Sequence, residues 1–289
     1  MARILEGKPV VEAIAERLRP QIASCAARGV TPTLGIVRVG ANPSDLSYER
    51  TATKRADSLG VGVRLLELPE DASTDEVAAA IARVNADPHI HGCLMFRPLP
   101  RGLDEARLCN LLAPEKDIDG ITAMSLAGVF AAEPHGFPPA TAEACLQMLD
   151  HYGISVSGKH VAIAGRSLVV GRPVAMMLLE RDATLTLCHS RTGDVARHLR
   201  AADIVVCATG RPRLFGADCF REGQVVLDVG INFDEGGALC GDVDFDAVAP
   251  VLGSQGAITP VPGGLGTVTT SVTMAHVVES ALRSAGLRS

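Results

Sequence analysis

The chain has 289 residues, of which 47% are hydrophobic and 21% charged, with a formal net charge of -6. That length suffices for two domains of roughly 100–200 residues each, and the apolar content excludes disorder as the main state. The acidic balance and the lack of a basic patch argue against a nucleic-acid partner. No apolar run of about 18 residues occurs, so neither a membrane span nor a membrane partner is expected. The start meets Arg3 and Glu6 too early for a signal peptide. Eight cysteines stand singly, with no Cys-x-x-Cys pair. That predicts buried reduced thiols and a cytoplasmic location. His89 and His91 have no further ligand cluster, and no metal site is expected.

Along the chain, Val10, Val11, Ile14, Leu18 and Ile22 recur at helical spacing around Pro20. Leu34–Val39 reads as a buried strand ending at Gly40, about 44–58 as a helix, and Val61–Leu68 as a strand. A helix over about 74–85 opens at Ser73 or Thr74, and Ile90–Phe96 is a strand. Gly136-Phe-Pro-Pro139 is the best boundary signal, followed by a helix over about 141–152. A second alternating series follows, with strands at Val161–Ala164, Thr184–Leu187, Ile204–Ala208 and Val225–Val229. Helices are expected near 172–181, 193–200 and 216–221, and a last one over about 268–284. Such alternation implies parallel strands with crossover helices. The expected fold class is therefore α/β: two α/β domains around a cleft. Ligands in such sheets bind beyond the carboxyl ends of the strands.

Gly165-Arg166-Ser167-Leu168-Val169-Val170-Gly171-Arg172-Pro173 lies between a predicted strand and helix. Its glycines let the backbone approach a pyrophosphate, and amides at the helix start face the anion. Pro173 suits the first helical positions, where no donor is needed. The spacing is not Gly-x-Gly-x-x-Gly, so a tight strand-to-helix turn is the competing reading. At the end of the next strand an NAD enzyme often carries Asp or Glu for the ribose hydroxyls. This chain has Cys188-His189-Ser190-Arg191-Thr192 instead. Arg166, Ser190 and Arg191 are suited to a 2′-phosphate, which favours NADP over NAD. A solvated loop arginine is the alternative for Arg191.

Several motifs together resemble the methylenetetrahydrofolate dehydrogenase/methenyltetrahydrofolate cyclohydrolase family. They are Gly165-Arg-Ser-x-x-Val-Gly-x-Pro173, Cys188-His-Ser190, Ala202-Asp-Ile204 with Gly210-x-Pro212, and Val226-Leu-Asp-Val-Gly-Ile-Asn232. Gly241-Asp-Val243 and Thr259-Pro-Val-Pro-Gly-Gly-x-Gly266 belong with them, as do Gly40-x-Asn-Pro43 with Tyr48 and Pro114-x-Lys-Asp-x-Asp-Gly120. The resemblance spans nearly the whole chain. It implies a folate-binding catalytic domain over 1–139 plus the C-terminal helix 267–289, and a second, Rossmann-like NAD(P)-binding domain over 140–266. It also implies a tetrahydrofolate derivative as substrate and a homodimer. Cofactor-binding positions would be Gly165, Arg166, Ser167, Val170, Gly171, Pro173, His189, Ser190, Arg191, Thr209, Gly210 and Ile231. Substrate-binding positions would be Tyr48, Ala52, Phe96, Pro98, Asp119, Pro262, Gly263 and Gly264. Tyr48 and Asp119 would carry the site, Asp119 as the pterin-binding carboxylate.

The chain also departs from the family pattern. The resemblance places a catalytic Lys four residues after the Tyr, on the same helical face; here that position is Ala52. The family's Gln-x-Pro-x-Pro reads Phe96-Arg97-Pro98-Leu99-Pro100, so the Gln is Phe96. Thr267-Val268 stands where Pro-Met is usual, and Pro139-Ala-Thr141-Ala142 reduces another motif. Lys54 lies roughly 120° from the Tyr48 face at about 100° per residue. Arg55 returns to that face, but an arginine keeps its proton and cannot be a base. Hydride transfer needs alignment rather than proton removal, whereas hydrolysis needs proton handling. The expectation is an NADP-dependent methylenetetrahydrofolate dehydrogenase with weak or lost cyclohydrolase activity. The rivals are a diverged folate-dependent one-carbon enzyme with another reaction, and a silent folate- or NADP-binding subunit.

Overall fold

The computed structural model describes residues 1–287. They divide into two compact units, one of Ala13–Ala140 with the segment from Thr270, the other of Met1–Glu12 with Thr141–Thr269. The sequence reading put the first twelve residues in the opening domain; the structure gives them to the other unit. The reason is strand β1 (Arg3–Ile4), which pairs in parallel with a strand late in the chain. A two-residue strand is too short to show a period of two. Helix α1 (Gly7–Ala26) continues through Pro20 and crosses the division.

The unit beginning at Ala13 is built on β2 (Thr33–Val39), helix α2 (Pro43–Leu59), β3 (Gly62–Leu68), α3 (Thr74–Ala86) and β4 (Gly92–Met95). Its three strands are parallel in the order β3-β2-β4. Every residue of β2 is buried, Arg38 included, as a largely apolar run predicts for a central strand. Asn42 caps α2 by accepting from the Ser44 N–H, and Pro43 sits in the first turn. Ser73 caps α3 in a reciprocal capping box with Glu76. The core gathers Val37, Val39, Val77, Ile81, Met95 and Leu108. Two short helices that the sequence reading did not predict follow, α4 (Glu105–Cys109) and α5 (Ala123–Ala131).

The other unit contains α6 (Ala140–His151), β5 (His160–Ala164), α7 (Gly171–Glu180), β6 (Thr184–Cys188), α8 (Val195–Ala201) and β7 (Ile204–Cys207). Then come β8 (Val225–Asp228), the hairpin β9 (Asn232–Phe233) and β10 (Leu239–Cys240), α9 (Phe245–Leu252) and β11 (Ala257–Ile258). The six-stranded parallel sheet has the order β1-β11-β8-β7-β5-β6. The order reverses at β5, the topology of a Rossmann-like domain. Its core includes Val205, Phe215, Phe220, Val226, Val248 and Leu252. The helix expected near 216–221 is only a single tight turn, Ala217–Cys219, because Phe220 adopts an extended backbone and turns its ring into that core. The last helix, α10 (Leu265–Ser284), starts earlier than expected and also crosses the division. All eight cysteines are buried and unpaired. Among the described residues no helix is long and apolar enough to cross a membrane.

Candidate active site

The carboxyl ends of β5, β6 and β7 surround a cavity of about 340 Å³. Of the candidate cofactor residues, Gly165, Arg166, Ser167, His189, Ser190 and Thr209 line it together. Gly165 has φ +131, and a Cβ there would come within 2.2 Å of the Ala208 carbonyl oxygen. Only glycine lets the loop lie this close to the end of β7. Gly171 is equally confined, 2.1 Å from the Gly165 oxygen if a Cβ were added. Val170 is the N-cap of α7 and donates its N–H to Ser167 Oγ, while Pro173 is buried in the first turn. Val170, Gly171 and Pro173 therefore shape the loop from behind and do not line the cavity.

The turn after β6 is held by its own side chains. The His189 N–H donates to Thr192 Oγ1, and the Arg191 N–H donates to His189 Nδ1. Arg191 is exposed beside this turn, outside the lining, whereas Arg211, Leu214 and Phe215 contribute lining that the sequence reading did not foresee. No acidic side chain lines the cavity. A small-residue floor with two arginines at its edge and no carboxylate fits a phosphorylated dinucleotide.

Beneath the Thr209–Arg211 loop lies Asp242, fully buried. It accepts hydrogen bonds from the Thr209 hydroxyl at 2.8 Å, the Gly210 N–H at 3.2 Å, the Arg211 N–H at 3.0 Å and Asn232 Nδ2 at 2.9 Å, and also from the Thr209 N–H. Asp228 beside it accepts from the N–H groups of Gly230, Asp242 and Val243. Burial is the main reason the Asp228 carboxyl is pushed up to about 7; the three N–H bonds oppose the shift, and the Asp242 charge adds to it. Gly230 and Gly241 have no room for a Cβ because these two carboxylates occupy it. Ile231 does not reach the main cavity. It lines a second one, of about 200 Å³, with Asp228, Pro262, Gly263 and Gly264 in the same unit.

Tyr48, Ala52, Phe96, Pro98 and Asp119 all fall in the unit beginning at Ala13, and the Pro262-Gly-Gly264 loop in the other. Tyr48 projects from α2, with Phe96 at the end of β4 edge-on to it, ring centroids 5.9 Å apart at 86°. Ala52, one turn on, is fully buried. The helix is regular through this stretch, and Lys54 is exposed away from that face. Burial, then the nearby Asp119 charge, pushes the Tyr48 hydroxyl up to about 12, against hydrogen bonds to Thr270 and Thr273 of α10.

Asp119 sits in a loop fixed at both ends. The fully buried Asp117 carboxylate accepts from the N–H groups of Ile121 and Thr122, and the Ile118 carbonyl accepts from His276 Nδ1 of α10 at 2.8 Å. Gly120 follows at φ +62, where a Cβ would strike Pro139. Burial raises the Asp119 carboxyl to about 6, with the Arg97 charge as the main opposing influence. Lys116, two residues before Ile118, donates to the carbonyls of Val84, Asn85 and Asp87 at the end of α3. That motif lysine is thus a structural cap. None of the four lysines stands in for the residue that Ala52 replaces: Lys8 and Lys159 are exposed like Lys54, and Lys116 is committed elsewhere.

The fold and these two groups of residues define a two-unit α/β protein, with a Rossmann-like dinucleotide cavity in one unit and an aromatic–carboxylate cluster in the other. The chain belongs to the tetrahydrofolate dehydrogenase/cyclohydrolase family: the family's catalytic domain matches residues 5–119 and its NAD(P)-binding domain residues 139–285. It is 47% identical over 97% of both chains to the bifunctional protein FolD of Carboxydothermus hydrogenoformans. The crystal structure of the bifunctional enzyme FolD, methylenetetrahydrofolate dehydrogenase/cyclohydrolase, from Campylobacter jejuni superposes with a TM-score of 0.94 at 33% identity, covering 98% of this chain and 99% of that one. The Trypanosoma brucei enzyme, crystallised with NADP and an inhibitor, gives 0.90 at 32% identity and 98% of each chain.

Proposed function

We propose that this protein oxidises methylenetetrahydrofolate to methenyltetrahydrofolate with NADP as hydride acceptor, and that it hydrolyses the methenyl product poorly. The observation that carries the reading is the buried Ala52 on the Tyr48 face, with the Phe96 ring against Tyr48 where the resemblance expects an amide. NADP supplies the carbon that accepts the hydride. The donor carbon lies between two nitrogens whose lone pairs stabilise the cation left behind, so no residue has to remove a proton. Tyr48 flanks the folate ring and remains protonated at neutral pH. Asp119 accepts from the amino and ring N–H groups of the pterin edge, which occupies the only carboxylate of this cluster tuned close to neutrality. Water attack on the methenyl carbon needs a positioned base, and neither Ala52 nor Phe96 supplies one. The reading is tested by NADPH formation from methylenetetrahydrofolate, measured beside decay of the methenyl chromophore without NADP.

The cofactor preference rests on Arg166 in the cavity lining and Arg191 in the exposed turn beside it. NADP binds more tightly than NAD, and Arg166→Ser with Arg191→Ser narrows the gap by about tenfold or more, as loss of charged hydrogen bonds at about 1.5–3 kcal/mol each requires. Calorimetry with both dinucleotides decides this; equal or tighter binding of NAD contradicts it.

The pH dependence of folate binding has a fixed sign. Only the ionised Asp119 accepts both pterin donors, so affinity falls as the pH drops below about 6, approaching tenfold per unit. The free protein behaves oppositely: because burial raises this carboxyl, it loses stability as the pH rises from 3.8 towards about 6. Dissociation constants measured between pH 5 and 8 check the first statement, and Asp119→Asn should flatten that profile. A wild-type profile already flat across this range contradicts the assignment.

A homodimer formed through the dinucleotide unit completes the reading. Its support is the family resemblance and the exposed Leu187 on the edge strand β6. Light scattering at micromolar concentration should give twice the chain mass; a monomer contradicts it.

A further inference from the structure

Arg38 is the single charged side chain of the central strand β2, and it is buried. Side chains alternate along a strand. Val37 and Val39 enter the core with Val77 and Ile81 of α3, so Arg38 faces the other side, where α2 lies. Its Nε donates to Glu49 Oε2 of α2 at 2.7 Å. Nη1 donates to the Gly40 carbonyl, where the chain turns out of β2, and Nη2 to Glu67 of β3. One guanidinium thus joins β2, the turn, α2 and β3. The Arg38 and Glu49 side chains are 7% and 17% exposed, whereas Glu67 is 58% exposed and keeps much of its water. Arg38–Glu49 is therefore the desolvated pair.

A buried ion pair is weak evidence for stability, because desolvation offsets most of the attraction; its best-attested use is to fix one arrangement over others. Helix α2 needs such a device. Its buried residues are only Ala52 and Ala56, whose small side chains bury little area and offer no shape to stop the helix turning or sliding. Tyr48 is the neighbour of Glu49 on that helix. Phe96, which meets the Tyr48 ring, is tied to the same strand one residue earlier: its N–H donates to the Val37 carbonyl at 3.2 Å. Strand β2 therefore holds both halves of the aromatic pair, the Phe96 backbone through Val37 and the helix of Tyr48 through Arg38.

We propose that Arg38 and Glu49 are positioning residues: they set the rotation of α2 and so hold the Tyr48 ring edge-on to Phe96, where it flanks the folate. They touch no substrate and act through Tyr48. The catalytic consequence rests on the folate reading above; the geometric one does not.

The chain has two tyrosines and no tryptophan, and Tyr152 belongs to the other unit. With Tyr152→Phe as background, Tyr48 alone gives the tyrosine band in near-ultraviolet circular dichroism. Four proteins are compared in that background: the parent, Glu49→Leu, Glu49→Gln, and Arg38→Met combined with Glu49→Leu. The band and the urea midpoint are recorded without ligand, then NADP affinity and kcat/KM for methylenetetrahydrofolate. Glu49→Leu strands a buried guanidinium and should lower the midpoint as well as the activity. The double variant replaces both charges by apolar side chains and should recover the midpoint. It should still lack the Tyr48 band, and its kcat/KM should stay about tenfold to a hundredfold down, as misplacement beside reacting atoms requires, with NADP affinity unchanged. Glu49→Gln keeps the accepting oxygen and should keep most of the band and of kcat/KM. Recovery of midpoint, band and kcat/KM together in the double variant overturns the positioning role and leaves the folate reading standing. If the double variant does not fold, equal loss of the band in Glu49→Gln and Glu49→Leu overturns it. A band lost as expected, in a protein whose parent does not turn over methylenetetrahydrofolate, supports the positioning of Tyr48 and sinks the folate reading instead.

Discussion

Hydrolysis of methenyltetrahydrofolate should run at least about a hundredfold slower than in a relative that keeps the Lys and Gln, since a positioned acid–base group contributes typically 10²–10⁴-fold. The replacement goes beyond a change of letters at two positions. Ala52 is closed off in the interior, and the ring of Phe96 stands against Tyr48 one turn away. Tyr48 cannot substitute as a base with its hydroxyl held near 12. The double change Ala52→Lys with Phe96→Gln should raise hydrolysis more than it alters hydride transfer. Each change alone should do little, because a lysine without its amide partner, or the amide without the lysine, is half of a unit. Decay of the methenyl chromophore in the four proteins measures this. Rescue by Phe96→Gln alone would show that Ala52 is not the cause.

The second large effect lies in the dinucleotide unit. Asp242→Ala removes the acceptor for the loop from Thr209 to Arg211 and for Asn232. Several buried donors are left unmet at about 1–3 kcal/mol each, so the variant should lose at least about 3 kcal/mol of stability. It should also bind NADP weakly, because Thr209 and Arg211 line the cavity. Asp242→Asn keeps one accepting oxygen and should lose less. Urea unfolding and calorimetry report the two effects separately. A shift within about 0.5 kcal/mol, the range of ordinary surface changes, would mean that the loop holds itself.

Local signals made much of this legible in the sequence. The apolar run of β2, the Asn-Pro entry to α2 and the Ser73 cap of α3 each act over a few residues, and the elements stand where those signals put them. The shape of the loop after β5 was readable because its two glycines mark close backbone approaches, Gly171 to Gly165 nearby in the chain and Gly165 to Ala208 beyond β7. Features that depend on distant partners were not. Asp242 reads as a turn residue until the fold brings Thr209 onto it from 33 positions away. Strand β1 has meaning only beside β11. Ile231, read as a cofactor contact, lines the second cavity, and nothing local in the sequence separates the two cavities.

The proposed activity pairs an intact hydride transfer with an impaired hydrolysis. The most direct measurement supplies methylenetetrahydrofolate and NADP together and follows NADPH and the methenyl chromophore in the same cuvette. Both should rise together, mole for mole, because the methenyl product is released rather than hydrolysed. NADPH rising while the methenyl band stays flat, with no chemical hydrolysis in the enzyme-free control on that timescale, would contradict it.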